Sequence, residues 1–397
     1  MATVLTPKSC PKSLLHHSIY YTLRFFFILL LFIGFFPATG IFASPEKLSF
    51  KWFSWEVIYS LYILFSLCMI FGLALHYQVV VKDSEMDIRH FIFFTTAIIS
   101  LISFTRLAMK WPKLIKKWCQ LDEKLNSIYG YPKYLKLKLQ IFVAGWILLI
   151  FGEYIALILS KFVLNDTSGA ITLQQIMKKR YFYIFSYVPY NTFVLSALGV
   201  SLPLVSNYVA LFIIDLFIIL ISITISFRFK QINEVLQQHK NKNSSINFWM
   251  TVRKNYSEMG NLFMDINDSI SNIVVLSYGS NMIVLINNLG RFISNDVDEH
   301  KTIFEIYSFV FLIIRLFLVY FFSARINSES RKPIRILFAV STEIYNVEIR
   351  RWYMQMKLDS IALTGNTLFK ITPGLILSIC GAIVTYELIF IQFSNPR

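Results

Sequence analysis

The 397-residue chain is 56% hydrophobic and 17% aromatic but only 15% charged, and its mean hydropathy is +0.57, whereas soluble domains carry roughly 25% charged residues. That balance excludes a soluble globular fold, disorder, collagen, a coiled coil and a disulfide scaffold, and leaves a membrane protein. The net charge of +15 comes without a soluble basic face or an aromatic platform outside the apolar runs, so it reads as membrane topology and not as nucleic-acid binding.

The first apolar run, 25–36, ends at Pro37 and falls short of the roughly 20 residues that cross a bilayer. Three readings compete for it: a signal peptide followed by Ala38, Thr39 and Gly40, an additional span, or a short helix at the cytosolic interface. The leader is long for a signal peptide and a crossing would put the N-terminus outside, which favours the short helix. Longer runs follow at 55–80, 91–109, 139–160, 204–227, 269–290, 304–324 and 373–393. Lys and Arg near a span stay in the cytoplasm. The segments with Lys110, Lys113, Lys116, Lys117 and Lys124, with Arg228 to Lys254, and with Arg325 to Lys357 are therefore placed inside. The loops with Asp83, Glu85 and Asp87 and with Asp296, Asp298 and Glu299 are placed outside, as is the glycosylation triplet at Asn165. The aromatic stretch 181–203, with Pro189 and Pro203, is read as an outer vestibule segment.

The expectation is an all-α membrane protein with seven transmembrane helices, N-terminus cytoplasmic and C-terminus extracellular, the inverse of a G-protein-coupled receptor. Residues 1–54 form a cytosolic N-terminus with a short interfacial helix, and 55–333 a six-span ligand-binding bundle with cytosolic helix extensions. Residues 334–372 form a cytosolic anchor helix, and 373–397 the last span. Cys10, Cys68, Cys119 and Cys380 offer no extracellular pair, so no disulfide is expected.

Phosphate-loop, Cys-x-x-Cys, His-Glu-x-x-His and Gly-x-Ser-x-Gly motifs are all missing, so neither an enzyme, a metal site nor a cofactor is expected. Charge at membrane depth stands out instead: Arg106, Glu153, Asp215, Arg315 and Glu387. Each costs about 2.5–3.5 kcal/mol if it faces lipid, so each should face the bundle or water, or pair with another. Thr96, Glu153, Tyr154, Asn207, Tyr208, Asn281, Asn287 and Asn288 fall in the outer halves of their spans. Carboxylates and amides bind paired hydroxyls while aromatic rings cover C–H faces, a mixture suited to a neutral polyol. Ordinary interhelical polar contacts remain the alternative for any one of them. Glu153, Tyr154, Tyr208, Asn281, Asn288 and Thr96 form the candidate ligand-binding set.

Pro373-Gly374 interrupts helix before the final span. That span carries Thr385, Tyr386, Glu387 and Gln392 among large aliphatics, and Ile389, Gln392 and Phe393 are spaced to share a face. A pore-lining helix would use such a column, and bundle packing could also hold it.

Thr385-Tyr386, five residues ELIFI and Gln392-Phe393 resemble the TYhhhhhQF signature in the last span of insect gustatory receptors. Glu387 after Thr-Tyr and the upstream run SIALTGNTLFKITPGLIL resemble the sugar branch. The resemblance implies a plasma-membrane, sugar-gated, nonselective cation channel, a homo- or hetero-tetramer in membrane lipid with one pocket per subunit and a central pore, needing no G protein. By motif position, Gln392, Phe393 and Ile389 would form the gate, and Thr385, Tyr386 and Glu387 would couple pocket to pore. An obligate co-receptor, a bitter or carbon dioxide receptor and, from another class, a secondary transporter are the alternatives.

Overall fold

The computed structural model describes residues 19–81, 88–131, 135–163, 193–240, 242, 244–293, 302–358, 360–381 and 384–385. The chain is mostly helical: α1 (Ile19–Phe32), α2 (Trp55–Val81), α3 (Ile88–Tyr129), α4 (Leu135–Val163), α5 (Phe193–His239), α6 (Ile246–Ile293), α7 (Thr302–Phe338) and α8 (Val347–Leu358) precede a short hairpin of β1 (Thr364–Gly365) and β2 (Phe369–Lys370). Six helices, α2 to α7, are long and apolar enough to cross a membrane. Residues 375–381 are helical after Pro373-Gly374, but 382–383 and 386–397 of the anticipated seventh span lie outside the described residues. So do the acidic loops around Glu85 and Asp298 and the Asn165 triplet. Cys68, Cys119 and Cys380 are reduced thiols.

The helices outrun a bilayer. α3, α5, α6 and α7 have 42, 47, 48 and 37 residues, where a crossing takes about 20. The surplus lies largely in the Lys- and Arg-rich segments, which continue the spans as helix. α5 also starts earlier than the sequence pattern suggests. Residues 193–203, read as part of a vestibule, are helical through Pro203, because neighbouring groups in a membrane bundle can satisfy the carbonyl that a proline frees. The stretch 334–372 holds α8 and the hairpin, with Asn366 and Thr367 at positive φ in its turn. A Cβ on Gly365 would lie 2.4 Å from the Phe369 ring, so only glycine lets the two strands close there.

α5 is apolar on all faces, and such a helix must be surrounded. Every residue from Ala210 to Ser222 is buried, and α2, α3, α4, α6 and α7 all pack against this helix. The outer helices instead present one apolar stripe each, Ile58, Leu61, Phe65 and Met69 on α2 and Ile306, Val310, Ile313 and Phe317 on α7, all exposed. The helical spacing of these stripes marks surfaces that meet lipid.

α1 stands against the bundle. Its Phe27 ring lies 5.0 Å from Trp111 and Phe26 lies 6.1 Å from Phe217. Ser206 Oγ and Tyr59 OH donate to the carbonyls of Ile33 and Phe32 at 2.9 and 2.8 Å. Gly34, with φ of 82°, then turns the chain back. A Cβ there would lie 2.4 Å from Ile63 Cδ1.

At its other end, the Ile19 N–H donates to Asp122 Oδ2 at 3.3 Å. Asp122 is ion-paired with Arg228, and both are 1% exposed. Arg228 also donates to Gln231 Oε1 at 2.6 Å and Asn126 Oδ1 at 2.8 Å. This node joins α1, α3 and α5 at the basic end of the bundle. Removing one partner of a buried pair leaves an uncompensated charge, at about 3–5 kcal/mol. Asp122→Ala should therefore lower the melting temperature of the purified protein more than the double change Asp122→Ala, Arg228→Met, which removes both charges. Equal melting of the two variants would show that Arg228 does not depend on Asp122.

Candidate ligand-binding and coupling site

Two polar layers cross the bundle interior, one above the other. The first is built on Glu153 of α4, 7% exposed. Its carboxylate accepts from Ser308 Oγ of α7 at 2.6 Å and, at a long 3.5 Å, from Tyr208 OH of α5. Tyr154 meets Tyr208 edge-on at 5.8 Å between ring centroids. Tyr307 OH donates to the Leu149 carbonyl at 3.0 Å. Gly152 permits that approach, since a Cβ there would lie 2.5 Å from the Tyr307 hydroxyl.

The second layer is a closed ionic cluster. Asp215 of α5 is fully buried and accepts from Ser277 Oγ at 2.5 Å, from Asn281 Nδ2 at 2.9 and 3.0 Å, and from Arg315 Nε at 3.0 Å. Arg315 also donates to Asn281 Oδ1, so both ends of the Asn281 amide are engaged. The guanidinium lies 4.5 Å over the Phe212 ring, which stacks on Phe311 at 5.5 Å. Trp146 Nε1 donates to the Phe212 carbonyl at 3.1 Å. A cation over a desolvated ring gains about 2 kcal/mol.

These contacts fix the register of the helices. α5 and α6 are antiparallel, with Asp215 opposite Ser277 and Asn281. Two turns toward the Glu153 end, about 12 Å by helical rise, Asn207 of α5 therefore stands level with Asn287 and Asn288 of α6. The Phe104–Phe217 ring contact at 5.3 Å likewise puts the buried Thr96 of α3 near the level of Tyr208. In this layer the side-chain atoms Asn207 Oδ1, Asn287 Nδ2 and Asn288 Oδ1 are buried without a hydrogen-bonding partner among the described residues. Asn288 as a whole is 5% exposed.

Of the candidate ligand set, Glu153, Tyr154 and Tyr208 touch. Asn288 and Thr96 share their level, while Asn281 belongs to the ionic layer. Arg106 lies on an exposed face of α3, away from both layers. Thr385 is exposed and donates to the Gly381 carbonyl at 2.9 Å. Tyr386, Glu387, Ile389, Gln392 and Phe393 lie outside the described residues.

Sequence reasoning missed a third set of contacts, on the hairpin side. Tyr320 OH of α7 donates to the Thr372 carbonyl at 2.7 Å, next to Pro373. The Thr364 N–H donates to Asn267 Oδ1 at 2.8 Å, Asn327 Nδ2 donates to the Ile361 carbonyl at 2.9 Å, and the Tyr278 and Phe369 rings lie 5.5 Å apart. The turn residues Gly365-Asn366 were the available signal, but nothing in the spacing says which helices the hairpin meets.

The family profile described as trehalose receptor matches residues 11–397. The gustatory receptor for sugar taste 64f of Drosophila melanogaster is 29% identical over 373 residues, covering 92% of this chain and 79% of that one. The gustatory receptor 5a for trehalose of the same fly is 27% identical over 376 residues, 91% of this chain and 82% of its own. Among solved structures, the olfactory receptor OR5 of the insect Machilis hrabei, in complex with eugenol, superposes with a TM-score of 0.63 at 10% identity, covering 96% of this chain and 100% of that one. That likeness carries the fold. With a profile match running to its last residue and sugar-taste relatives along most of its length, the chain belongs to the trehalose receptor family of insect gustatory receptors, multi-pass proteins of the plasma membrane.

Proposed function

We propose that this chain is a sugar-gated, nonselective cation channel, assembled as a tetramer with one pocket per subunit and a central pore lined by a seventh helix whose C-terminus is extracellular. The observation that carries the reading is the Glu153 layer, where Asn207, Asn287 and Asn288 present unused amide atoms at the level of a carboxylate and two tyrosine rings. Sugar hydroxyls donate to Asn288 Oδ1 and to Glu153, and accept from Asn287 Nδ2. The Tyr154 and Tyr208 rings cover the C–H faces.

α7 carries the signal. It meets the pocket at Ser308, the ionic layer at Arg315 and the backbone before Pro373 at Tyr320. A sugar that binds more tightly when α4, α5 and α7 are drawn together shifts the closed-to-open equilibrium by its differential affinity for the two states. Tyr320 passes the displacement to the last helix, where Tyr386 and Glu387 continue it to a gate at Ile389, Gln392 and Phe393. The basic helix extensions and α8 hold the subunits together on the cytosolic side.

Whole-cell recording from cells expressing this chain alone, challenged with mono- and disaccharides and a bitter alkaloid control, tests the reading. A sugar-gated cation current is expected. Silence with the protein at the surface would overturn homomeric gating and point to an obligate partner. Asn288→Leu should raise the half-maximal sugar concentration about tenfold, the loss expected when a buried hydrogen bond to ligand is removed. Tyr320→Phe should lower the maximal current per surface channel about fivefold, matching one hydrogen bond of about 1 kcal/mol. An unchanged half-maximal concentration in Asn288→Leu, or an unchanged maximal current per surface channel in Tyr320→Phe, removes that residue from the mechanism.

A further inference from the structure

We propose that the exposed face of α3 around Arg106 is a binding site for an anionic phospholipid headgroup of the inner leaflet. Ile99, Ile102, Arg106, Met109, Lys110 and Lys113 recur every three or four residues, which places them on one helical face, and all are exposed.

The face changes character along its length. Ile99, Ile102 and Met109, at 43%, 37% and 40% exposure, form an apolar surface, and Arg106 is set into it. An arginine in that position is expensive unless its charge is met. Lower on α3 two cations are matched by α6: Lys117 pairs with Asp265, and Lys124 with Glu258 at 2.6 Å. Arg106, Lys110 and Lys113 have no carboxylate partner among the described residues, so three positive charges stand together over about 10 Å of helix.

A soluble anion would answer the charges and leave the isoleucines and Met109 uncovered. A phospholipid answers both, with its phosphate between Arg106 and the lysines and its acyl chains along Ile102 and Ile99. Arg106 supplies the planar donor fork that suits phosphate oxygens. Anionic lipids are concentrated on the cytoplasmic leaflet, the side to which the basic segments assign this end of α3.

The test uses purified full-length protein in neutral detergent, titrated with short-chain phosphatidylserine, with phosphatidylcholine or with inorganic phosphate, and read by native mass spectrometry and thermal melting. Phosphatidylserine should bind and raise the melting temperature, while the other two should not. Arg106→Gln and Lys113→Gln should each weaken that binding about fivefold, the contribution of one basic residue at an anionic surface. Arg106→Lys, which keeps the charge but loses the fork, should recover only part of it, and Lys136→Gln, an exposed cation on α4, should leave it unchanged. Equal binding of phosphatidylcholine, stabilisation by inorganic phosphate alone, or equal losses for Lys136→Gln and Arg106→Gln would each overturn the site.

Discussion

Asp215 and Arg315 are buried in the interior of a bundle whose outer faces meet lipid, and either one alone would be an unscreened charge in a medium of low dielectric constant. Their burial is tolerable because the charges meet each other and are further hydrogen-bonded: Ser277 and Asn281 donate to the carboxylate, while the guanidinium donates to Asn281 and lies over the Phe212 ring. Those partners come from α5, α6 and α7, so the cluster sets the register of three helices at once. A one-residue slip would turn each donor through about 100° and leave a charge uncovered. Apolar side chains could fill the same space, but they would not specify the register so narrowly.

The constraint propagates along the central helix. α5 is enclosed on all sides from Ala210 to Ser222, so what happens at one of its ends is sensed by the helices that pack along it. At the basic end, Arg228 of α5 meets Asp122 of α3 and, through it, the first residue of α1. The short N-terminal helix is thus tied to the bundle by hydrogen bonds at both ends and by a run of aromatic contacts between them. Its 14 described residues are fewer than the roughly 20 that a crossing takes, and its stability comes from docking a buried face of Tyr20, Leu23, Phe26, Phe27 and Leu30.

Much of this was legible in the residues themselves. Hydropathy and the Lys/Arg distribution located the spans, because lipid penalises unpaired backbone and charge heavily enough to leave long unbroken apolar runs. Glu153, Asp215 and Arg315 stood out for the same reason. Periodicity does not encode which helix faces which, so the sequence left Asn281 among the ligand candidates although its amide is engaged by Asp215 and Arg315. Nothing in the sequence singles out Asp122, which the fold places against Arg228. The hairpin before Pro373 was hidden because its contacts to Asn267, Asn327 and Tyr320 span between 34 and 97 residues of sequence.

The difference between the two polar layers argues for their different roles. Both sit in the bundle core, about two turns apart, and both are built from amides, hydroxyls and a carboxylate. In the Asp215 layer the donors and acceptors answer one another, as expected of groups whose task is to hold helices in place. In the Glu153 layer Tyr208 reaches the carboxylate only at 3.5 Å, and three amide atoms have no protein partner among the described residues. A buried polar atom left without a partner costs about 1–3 kcal/mol, so a layer that only held helices together would be more stable with aliphatic side chains at these positions. Its polar composition becomes advantageous when a hydroxyl-rich ligand completes it, and the free energy recovered on binding is then available to draw α4, α5 and α7 together.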